Sequence, residues 1–214
     1  MSDRTIVHLV RHGEVHNPAG LLYGRLPDYH LSDRGREMAA AAAGWLDGHE
    51  VTHLVSSPLE RAQETAAPIA ESTGLTIVID DRVIEAANDF EGSTFGRGPA
   101  SLIHPAVWWK LRNPARPSWG ESYRHISDRM NQAIHDAREA ADGHEAVIVS
   151  HQLPVWIARR SFENRRFLHD PRRRQCNLAS ITSLIFEDGE FVDLDYSEPA
   201  AYLIESTGKF VGGA

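Results

Sequence analysis

The alternation of short β-rich runs with longer helix-like segments constrains the fold of this chain more than any other feature. Apolar, β-branched runs predict buried strands at 5–10, 52–55, 76–79 and 146–149. Helical patterns lie at 33–46, 58–72, 122–141 and 153–162, with Pro58 suited to a first turn and Gly74 to a stop. Strands and helices that alternate in this way are typical of a mostly parallel sheet. The predicted fold class is therefore α/β, a three-layer helix-sheet-helix sandwich.

The last part of the chain breaks the alternation. Two β-rich runs, 180–186 and 190–195, flank the sequence Glu187-Asp188-Gly189. An Asp-Gly pair between two such runs is typical of a hairpin, because both residues tolerate the backbone of a tight turn. The sheet is therefore predicted to be mixed, with antiparallel strands added at the end.

The length and composition predict one domain that spans residues 1–214. With 42% hydrophobic residues, the chain can bury a core without disulfide bonds. Between 92 and 120 the alternation gives way to a segment rich in Gly, Pro and Trp, which includes Trp108, Trp109 and Trp119. A long irregular stretch of this kind is often a lid or a substrate loop. The alternative is a partly helical excursion whose tryptophans pack on the core.

Composition also excludes several classes of protein. No run of eighteen apolar residues and no N-terminal signal pattern is present, so we expect a cytoplasmic protein with no membrane partner. The single cysteine, Cys176, cannot form an internal disulfide. A net charge of −8 disfavours nucleic-acid binding, although seven arginines lie between 159 and 174. That stretch is either a solvated face or a surface that recruits an anionic substrate or partner.

Charged and imidazole side chains follow three of the predicted strands. Arg11 and His12 come after the first strand, Arg61 lies just beyond the second, and His151 and Gln152 follow the run at 146–149. The carboxyl ends of parallel strands share one edge of a sheet, and open α/β sheets build their sites there. These residues, far apart in sequence, are therefore expected to meet in one pocket.

The residue types in that pocket favour phosphate chemistry. Each guanidinium presents a fork of donors that matches phosphate oxygens, so Arg11 and Arg61 can bind a phosphoryl dianion. Nearby arginines disfavour the protonated form of an imidazole, and a neutral imidazole is a good nucleophile. His12 is the candidate nucleophile.

Three motifs together resemble the histidine phosphatase superfamily, which contains the cofactor-dependent phosphoglycerate mutases. They are Arg11-His12-Gly13-Glu14 with Asn17, then the eleven residues from Ser56 to Ala66, then Ser150-His151. The resemblance implies a phosphoglycerate mutase-like fold and a phospho-histidine on His12. It also implies that Arg11, Arg61 and His151 bind the phosphoryl group with help from Asn17. No metal and no cofactor are implied.

The same resemblance extends to further residues. It places the proton donor, a catalytic acid, at Glu85, but the following loop is shorter than the family pattern, which leaves Asp89 and Glu91 as rivals. It also places Tyr23 and Gly24 in the substrate pocket, and Ser32 at the start of a helix. Glu14 beside a phosphate pocket is useful only if it positions an arginine.

The expected function is metal-independent hydrolysis of a phosphate monoester through a phospho-histidine, with a small phosphorylated metabolite as substrate. One alternative is a phosphoglycerate mutase, although the Arg-His-Tyr-Gly stretch usual in mutases after the acid is replaced here by Ala86-Ala87-Asn88-Asp89. The other is a module that binds phosphate without catalysis. A homodimer is compatible with the sequence.

The spacing of three histidines offers a metal site as an alternative to phosphate chemistry. His8, His12 and His16 recur every four residues, which on a helix would place three imidazoles on one face. The β-rich run around His8, followed by Gly13 and Pro18, is unsuited to a continuous helix. No metal ligand is therefore predicted.

Overall fold

The computed structural model describes residues 4–89, 91–92 and 120–205. Within them, six strands form one sheet in the order β3-β2-β4-β1-β5-β6. The strands are β1 (Arg4–Arg11), β2 (Val51–Ser56), β3 (Val78–Ile79), β4 (Glu145–Ser150), β5 (Ile181–Glu187) and β6 (Glu190–Ser197). The α-helices are α1 (Asp33–Trp45), α2 (Glu60–Thr73), α3 (Tyr123–Ala140), α4 (Gln152–Phe162) and α5 (Ala201–Glu205), with 3-10 turns at Asp81–Val83 and Pro171–Arg173.

The sheet is mixed, as predicted. β1 to β4 run parallel to one another, while β5 pairs antiparallel with both β1 and β6. The turn between β5 and β6 contains Asp188 and Gly189, whose φ angles are 50° and 83°. Positive φ at two successive turn residues matches the twist of a hairpin. The hairpin predicted from the Asp-Gly pair is therefore confirmed.

Helices cover both faces of the sheet, and the burial of β4 shows why. Ala146 and Ile148 pack into a core with α3 and α4, whereas Val147 and Val149 pack into a second core with α1 and α2. Successive side chains of a strand point to opposite faces, so a strand covered on both sides is apolar throughout. The α/β helix-sheet-helix fold expected from the sequence is confirmed.

Some element boundaries differ from those predicted. α2 begins at Glu60 rather than Pro58, because the Ser57 backbone N–H still bonds to the Val149 carbonyl and Leu59 is extended. β3 contains only two of the four expected residues, since only Val55 and Ser56 of β2 pair with it. The short helix α5 was not predicted. The predicted lid lies almost entirely outside the described residues, between Gly92 and Gly120.

The described helices are also relevant to membrane association. None of them combines the length and the apolar character that crossing a membrane requires.

Candidate active site

His12 lies just past β1, at the carboxyl edge of the sheet. Its backbone N–H donates to the Ser150 carbonyl at 3.0 Å, which fixes the residue against the end of β4. The side chain is buried, with its Nδ1 2.7 Å from the Gly13 carbonyl oxygen. A carbonyl only accepts hydrogen bonds, so Nδ1 carries the proton and Nε2 keeps its lone pair. The local backbone thus selects the tautomer that a nucleophilic histidine needs.

Gly13 lets the chain pass close to the start of α1. A Cβ at Gly13 would lie 2.4 Å from the Gly35 carbonyl oxygen, which is closer than real Cβ contacts. Ser32 caps α1 by accepting from the Gly35 N–H at 3.0 Å, and its hydroxyl donates to Glu14 at 2.6 Å. Glu14 also pairs with Arg34. The expectations that Ser32 caps a helix and that Glu14 positions an arginine are both confirmed.

Two buried arginines supply positive charge to the pocket. One nitrogen of Arg11 donates to the Cys176 carbonyl at 2.8 Å, and one of Arg61 donates to the Gly24 carbonyl at 2.6 Å. Three further guanidinium nitrogens are buried and have no hydrogen-bond partner among the described residues: Nε of Arg11, and Nε and Nη1 of Arg61. Buried donors are nearly always paired, because leaving one unpaired costs about 1–3 kcal/mol. Such a concentration of unpaired cationic donors suits an anionic ligand.

His151 completes the cationic cluster. Its ring centroid lies 5.1 Å from that of His12, and its Nε2 is 2.8 Å from the hydroxyl oxygen of Ser57. Its Nδ1 is buried and has no partner among the described residues. The preceding residue, Ser150, donates its hydroxyl to the Val83 carbonyl at 2.7 Å, which ties the end of β4 to the segment that leads to Glu85.

Burial and the arginines set the charge of both histidines. Desolvation, followed by the charges of Arg61 and Arg11, lowers the pKa of His12 well below its ordinary value of 6.5. Desolvation and Arg61 lower the pKa of His151 in the same way. The protein's own groups therefore keep both rings neutral near pH 7. A phosphoryl dianion would act in the opposite direction and favour a protonated His151.

Glu85 lies in the segment after the first 3-10 turn. Its carboxylate is buried and accepts from the Ala86 N–H at 2.8 Å, and its backbone carbonyl accepts from Arg25 Nε at 2.7 Å. Burial is the largest cause of a raised pKa for Glu85, only partly offset by that hydrogen bond and by Arg61. A carboxyl group that stays protonated can act as a general acid.

The two rival acids lie in different surroundings. Glu91 is half-buried, and its Oε1 accepts from the Arg25 N–H at 3.0 Å. Asp89 is exposed. Of the three carboxylates, only that of Glu85 is buried, and this burial raises the pKa of Glu85, as a proton donor requires.

The remaining predicted residues lie around this cluster. Tyr23 is buried, with its ring 4.8 Å from the Arg61 guanidinium carbon, and the Gly24 carbonyl accepts from the same arginine. Asn17 uses its side-chain amide to bind both backbone groups of Leu21, so it shapes the loop that leads to Tyr23. Tyr23 and Gly24 therefore contact Arg61 directly, whereas the side-chain amide of Asn17 is hydrogen-bonded to the loop.

Gln152 connects the cluster to an arginine that was not singled out from the sequence. Its Nε2 lies 3.4 Å from the Cys176 carbonyl oxygen, which also accepts from Arg11, and its Oε1 accepts from Arg174 at 3.3 Å. Arg174 also donates to His169 and has no carboxylate partner among the described residues. The pKa of Arg174 is lowered, chiefly by burial. A half-buried guanidinium, close enough to Glu85 and Arg11 for their charges to act on its pKa, therefore has no ion pair among the described residues.

The other arginines of the basic stretch lie mostly at the protein surface. Arg159 and Arg165 pair with Glu163, and Arg172 pairs with Asp170. Four arginines of the stretch, at 165, 166, 172 and 173, are exposed, which fits the solvated-face alternative, whereas the side chain of Arg159 is only 12% exposed. Only Arg174 joins the pocket, and its place could not be found from composition because all seven arginines look alike in the sequence.

Sequence reasoning also missed the residues that position the acid and the second histidine. Arg25 donates to both the Glu85 carbonyl and Glu121, whose carboxylate in turn accepts from Arg129. Ser57 belongs to the second of the three family motifs, but the sequence alone gives it no role. The motif at 56–66 could have identified Ser57 as a site residue. No local sequence pattern identifies Arg25 or Glu121.

Fold and site together define an α/β protein with a buried, cationic pocket built around two histidines. The chain belongs to the histidine phosphatase superfamily (branch 1), whose family model matches residues 7–198.

Two relatives and one solved structure illustrate this membership. The protein Rv0525 of Mycobacterium tuberculosis (strain H37Rv) is 54% identical over 201 residues, which cover 94% of this chain and 100% of the relative. A protein of Shigella boydii serotype 18 named "Probable phosphoglycerate mutase GpmB" is 32% identical over 171 residues, covering 72% of this chain and 78% of its own length. The structure of the mycobacterial glucosyl-3-phosphoglycerate phosphatase Rv2419c matches with a TM-score of 0.69 and 25% identity, covering 92% and 97% of the two chains.

Proposed function

We propose that this protein hydrolyses phosphate monoesters in two steps, through a phospho-histidine on His12. The observation that carries the proposal is the tautomer of His12. Its Nδ1 proton is held by the Gly13 carbonyl, so the lone pair of Nε2 is available, and the charges of Arg61 and Arg11 act on the same ring. A binding module has no need of a nucleophile held in this way.

In the first step, Nε2 of His12 attacks phosphorus and the ester P–O bond breaks. The unpaired donors of Arg11 and Arg61 stabilise the charge on the equatorial oxygens, and protonated His151 adds a further donor. Glu85 gives its proton to the departing alkoxide oxygen. The products of this step are a free alcohol and phospho-His12.

In the second step, water attacks the phosphorus of phospho-His12. Glu85, now a carboxylate, accepts a proton from that water while the N–P bond breaks. Inorganic phosphate leaves, and both His12 and Glu85 return to their starting states. The reaction needs no metal ion.

We further propose that the substrate carries a second negative group near its phosphate. Arg174 supports this, because it is a half-buried guanidinium with no carboxylate partner among the described residues and is linked to the site through Gln152. The names of two relatives also refer to phosphoglycerate compounds, which carry a carboxylate. A small phosphorylated carboxylic acid fits both facts.

Mutase activity is the second candidate function, favoured by the relative named as a probable mutase.

One experiment separates hydrolysis from mutase activity. The protein is incubated with 3-phosphoglycerate, with and without a metal chelator and a priming bisphosphate, and products are followed by phosphorus NMR. Steady release of inorganic phosphate, resistant to the chelator, supports hydrolysis. Conversion to 2-phosphoglycerate without phosphate release supports a mutase, and no reaction with this or any ester of a wider panel contradicts both.

A further inference from the structure

Three potential metal ligands meet at a place that the proposed reaction does not use. His8 lies on β1, Glu145 is the first residue of β4, and His49 lies in the loop between α1 and β2. His8 Nε2 is 2.8 Å and His49 Nδ1 is 2.7 Å from the same carboxylate oxygen, Oε2 of Glu145. Glu145 begins the strand whose other end precedes His151, about 20 Å away at the rise of a β-strand. The cluster is therefore separate from the candidate active site.

We propose that His8, His49 and Glu145 form a binding site for a divalent transition metal ion, with Zn²⁺ as the best match. Two imidazole nitrogens and one carboxylate are a ligand set found in zinc sites, where a water molecule completes the tetrahedron. The three ligand atoms lie within 4.8 Å of one another. Ligands about 2.0–2.1 Å from a tetrahedral ion are about 3.3 Å apart, so each nitrogen must move about half an ångström away from the shared oxygen, and the two nitrogens must move up to about 1.5 Å closer to each other.

The surroundings of His8 supply what a ligating histidine needs. A ring that binds a metal through Nε2 must carry its proton on Nδ1, and a second group usually accepts that proton. Nδ1 of His8 lies 2.8 Å from the hydroxyl oxygen of Ser183, its neighbour across the sheet on β5. Ser183 can therefore hold the tautomer in which Nε2 of His8 is free to bind an ion.

The other two ligands are fixed but accessible. The His49 ring stacks on Trp45 at 4.7 Å between centroids, and its side chain is 30% exposed. A cavity of about 320 Å³ adjoins the cluster and includes His8, His49 and Glu145 in its lining, together with Asp195 and Arg4. An ion can enter from the His49 side, and the cavity leaves room for a water as the fourth ligand.

No metal ligand was predicted from the sequence, because the spacing of His8, His12 and His16 suits only a helix. The fold instead separates those three and brings His8 to partners 41 and 137 residues away. An ion at this place would join β1, β4 and the loop after α1, and so stabilise the end of the sheet away from the active site.

Calorimetric titration with Zn²⁺ tests the proposal. His12 and His151 lie close enough to bind an ion themselves, so the titration uses the His12→Ala background. We expect one equivalent of Zn²⁺ to bind, a rise in Tm of about 5 °C at saturation, and a tetrahedral absorption spectrum when Co²⁺ replaces Zn²⁺. Adding His49→Ala or Glu145→Gln should weaken binding about 100-fold or more. His144→Ala, which removes an exposed histidine nearby, should leave it unchanged.

Two results would overturn the site. One is the absence of Zn²⁺ binding in the His12→Ala protein with circular dichroism showing a native fold. The other is binding of undiminished strength in either the His49→Ala or the Glu145→Gln variant, when that variant keeps a native fold. Because two different ligands are tested, a folding defect in one variant does not remove the test.

Discussion

The Nδ1 atom of His12 lies 2.7 Å from the carbonyl oxygen of Gly13, the next residue in the chain. This hydrogen bond orients the ring and fixes its tautomer through a backbone group of the neighbouring residue. The candidate nucleophile is thus held by backbone geometry, and the unpartnered donors of Arg11 and Arg61 are left for the proposed phosphoryl group.

Replacing His12 with Ala should abolish hydrolysis while the protein stays folded. Loss of a nucleophile that forms a covalent intermediate costs about 10⁴-fold or more in kcat. The measurement is phosphate release from p-nitrophenyl phosphate, with circular dichroism as the check on folding. His16→Ala is the matched control, because His16 is exposed and the side chain takes no part in the cluster. Turnover by His12→Ala close to that of the unchanged protein would rule out the phospho-histidine route.

Glu85→Gln should slow hydrolysis most for substrates with poor leaving groups. An alkyl phosphate needs a proton on its departing oxygen, whereas p-nitrophenolate leaves readily without one. We expect kcat/KM to fall by about 10²–10⁴-fold for the alkyl ester and far less for the nitrophenyl ester. Glu91→Gln serves as the comparison. A leaving-group dependence that appears in Glu91→Gln instead of Glu85→Gln would move the acid role to Glu91.

The pH profile of kcat/KM should be bell-shaped. His12 must be neutral and Glu85 protonated, so activity falls below the pKa of His12 and above the pKa of Glu85. At their ordinary values, 6.5 and 4.5, the active combination would be scarce, but burial lowers the first and raises the second. Both shifts therefore favour the active form. Measured with an alkyl ester, the alkaline limb should vanish in Glu85→Gln, and its persistence would show that another group sets that limb.

The sequence predicted the position of the site because that position follows from topology. Once the runs ending at Val10 and Val149 are recognised as parallel strands, their following residues must share an edge. The positions of Arg174 and Arg25 depend instead on the path by which the long loops come back to that edge. No local sequence pattern encodes such a path. The same holds for His8 and its partners, whose proximity arises from strand register and from the path of a loop.

Arg174→Met should reduce the preference for substrates that carry a carboxylate. A hydrogen bond to a charged group is worth about 1.5–3 kcal/mol, or roughly 10–100-fold in kcat/KM. The comparison uses 3-phosphoglycerate and glycerol 3-phosphate, which differ in the carboxylate. We expect the first to lose activity and the second to keep it. Arg172→Met, on the exposed part of the stretch, is the control. Equal losses on both substrates would mean that Arg174 supports the fold of the pocket and not its specificity.

Gly13→Ala should destabilise the protein, whereas Gly44→Ala should stabilise it. A Cβ at Gly13 would lie 2.4 Å from the backbone carbonyl of Gly35, so the start of α1 must shift, at a cost of about 1–3 kcal/mol. Gly44 lies within α1 with open space around the position of a Cβ, and alanine there removes about 0.5–1 kcal/mol of helix penalty. Urea unfolding measures both changes as opposite shifts of the midpoint at constant slope. If the Gly13→Ala protein is as stable as the unchanged one, the turn after β1 can shift to accept a Cβ. Close packing against α1 would then not explain the glycine at this position.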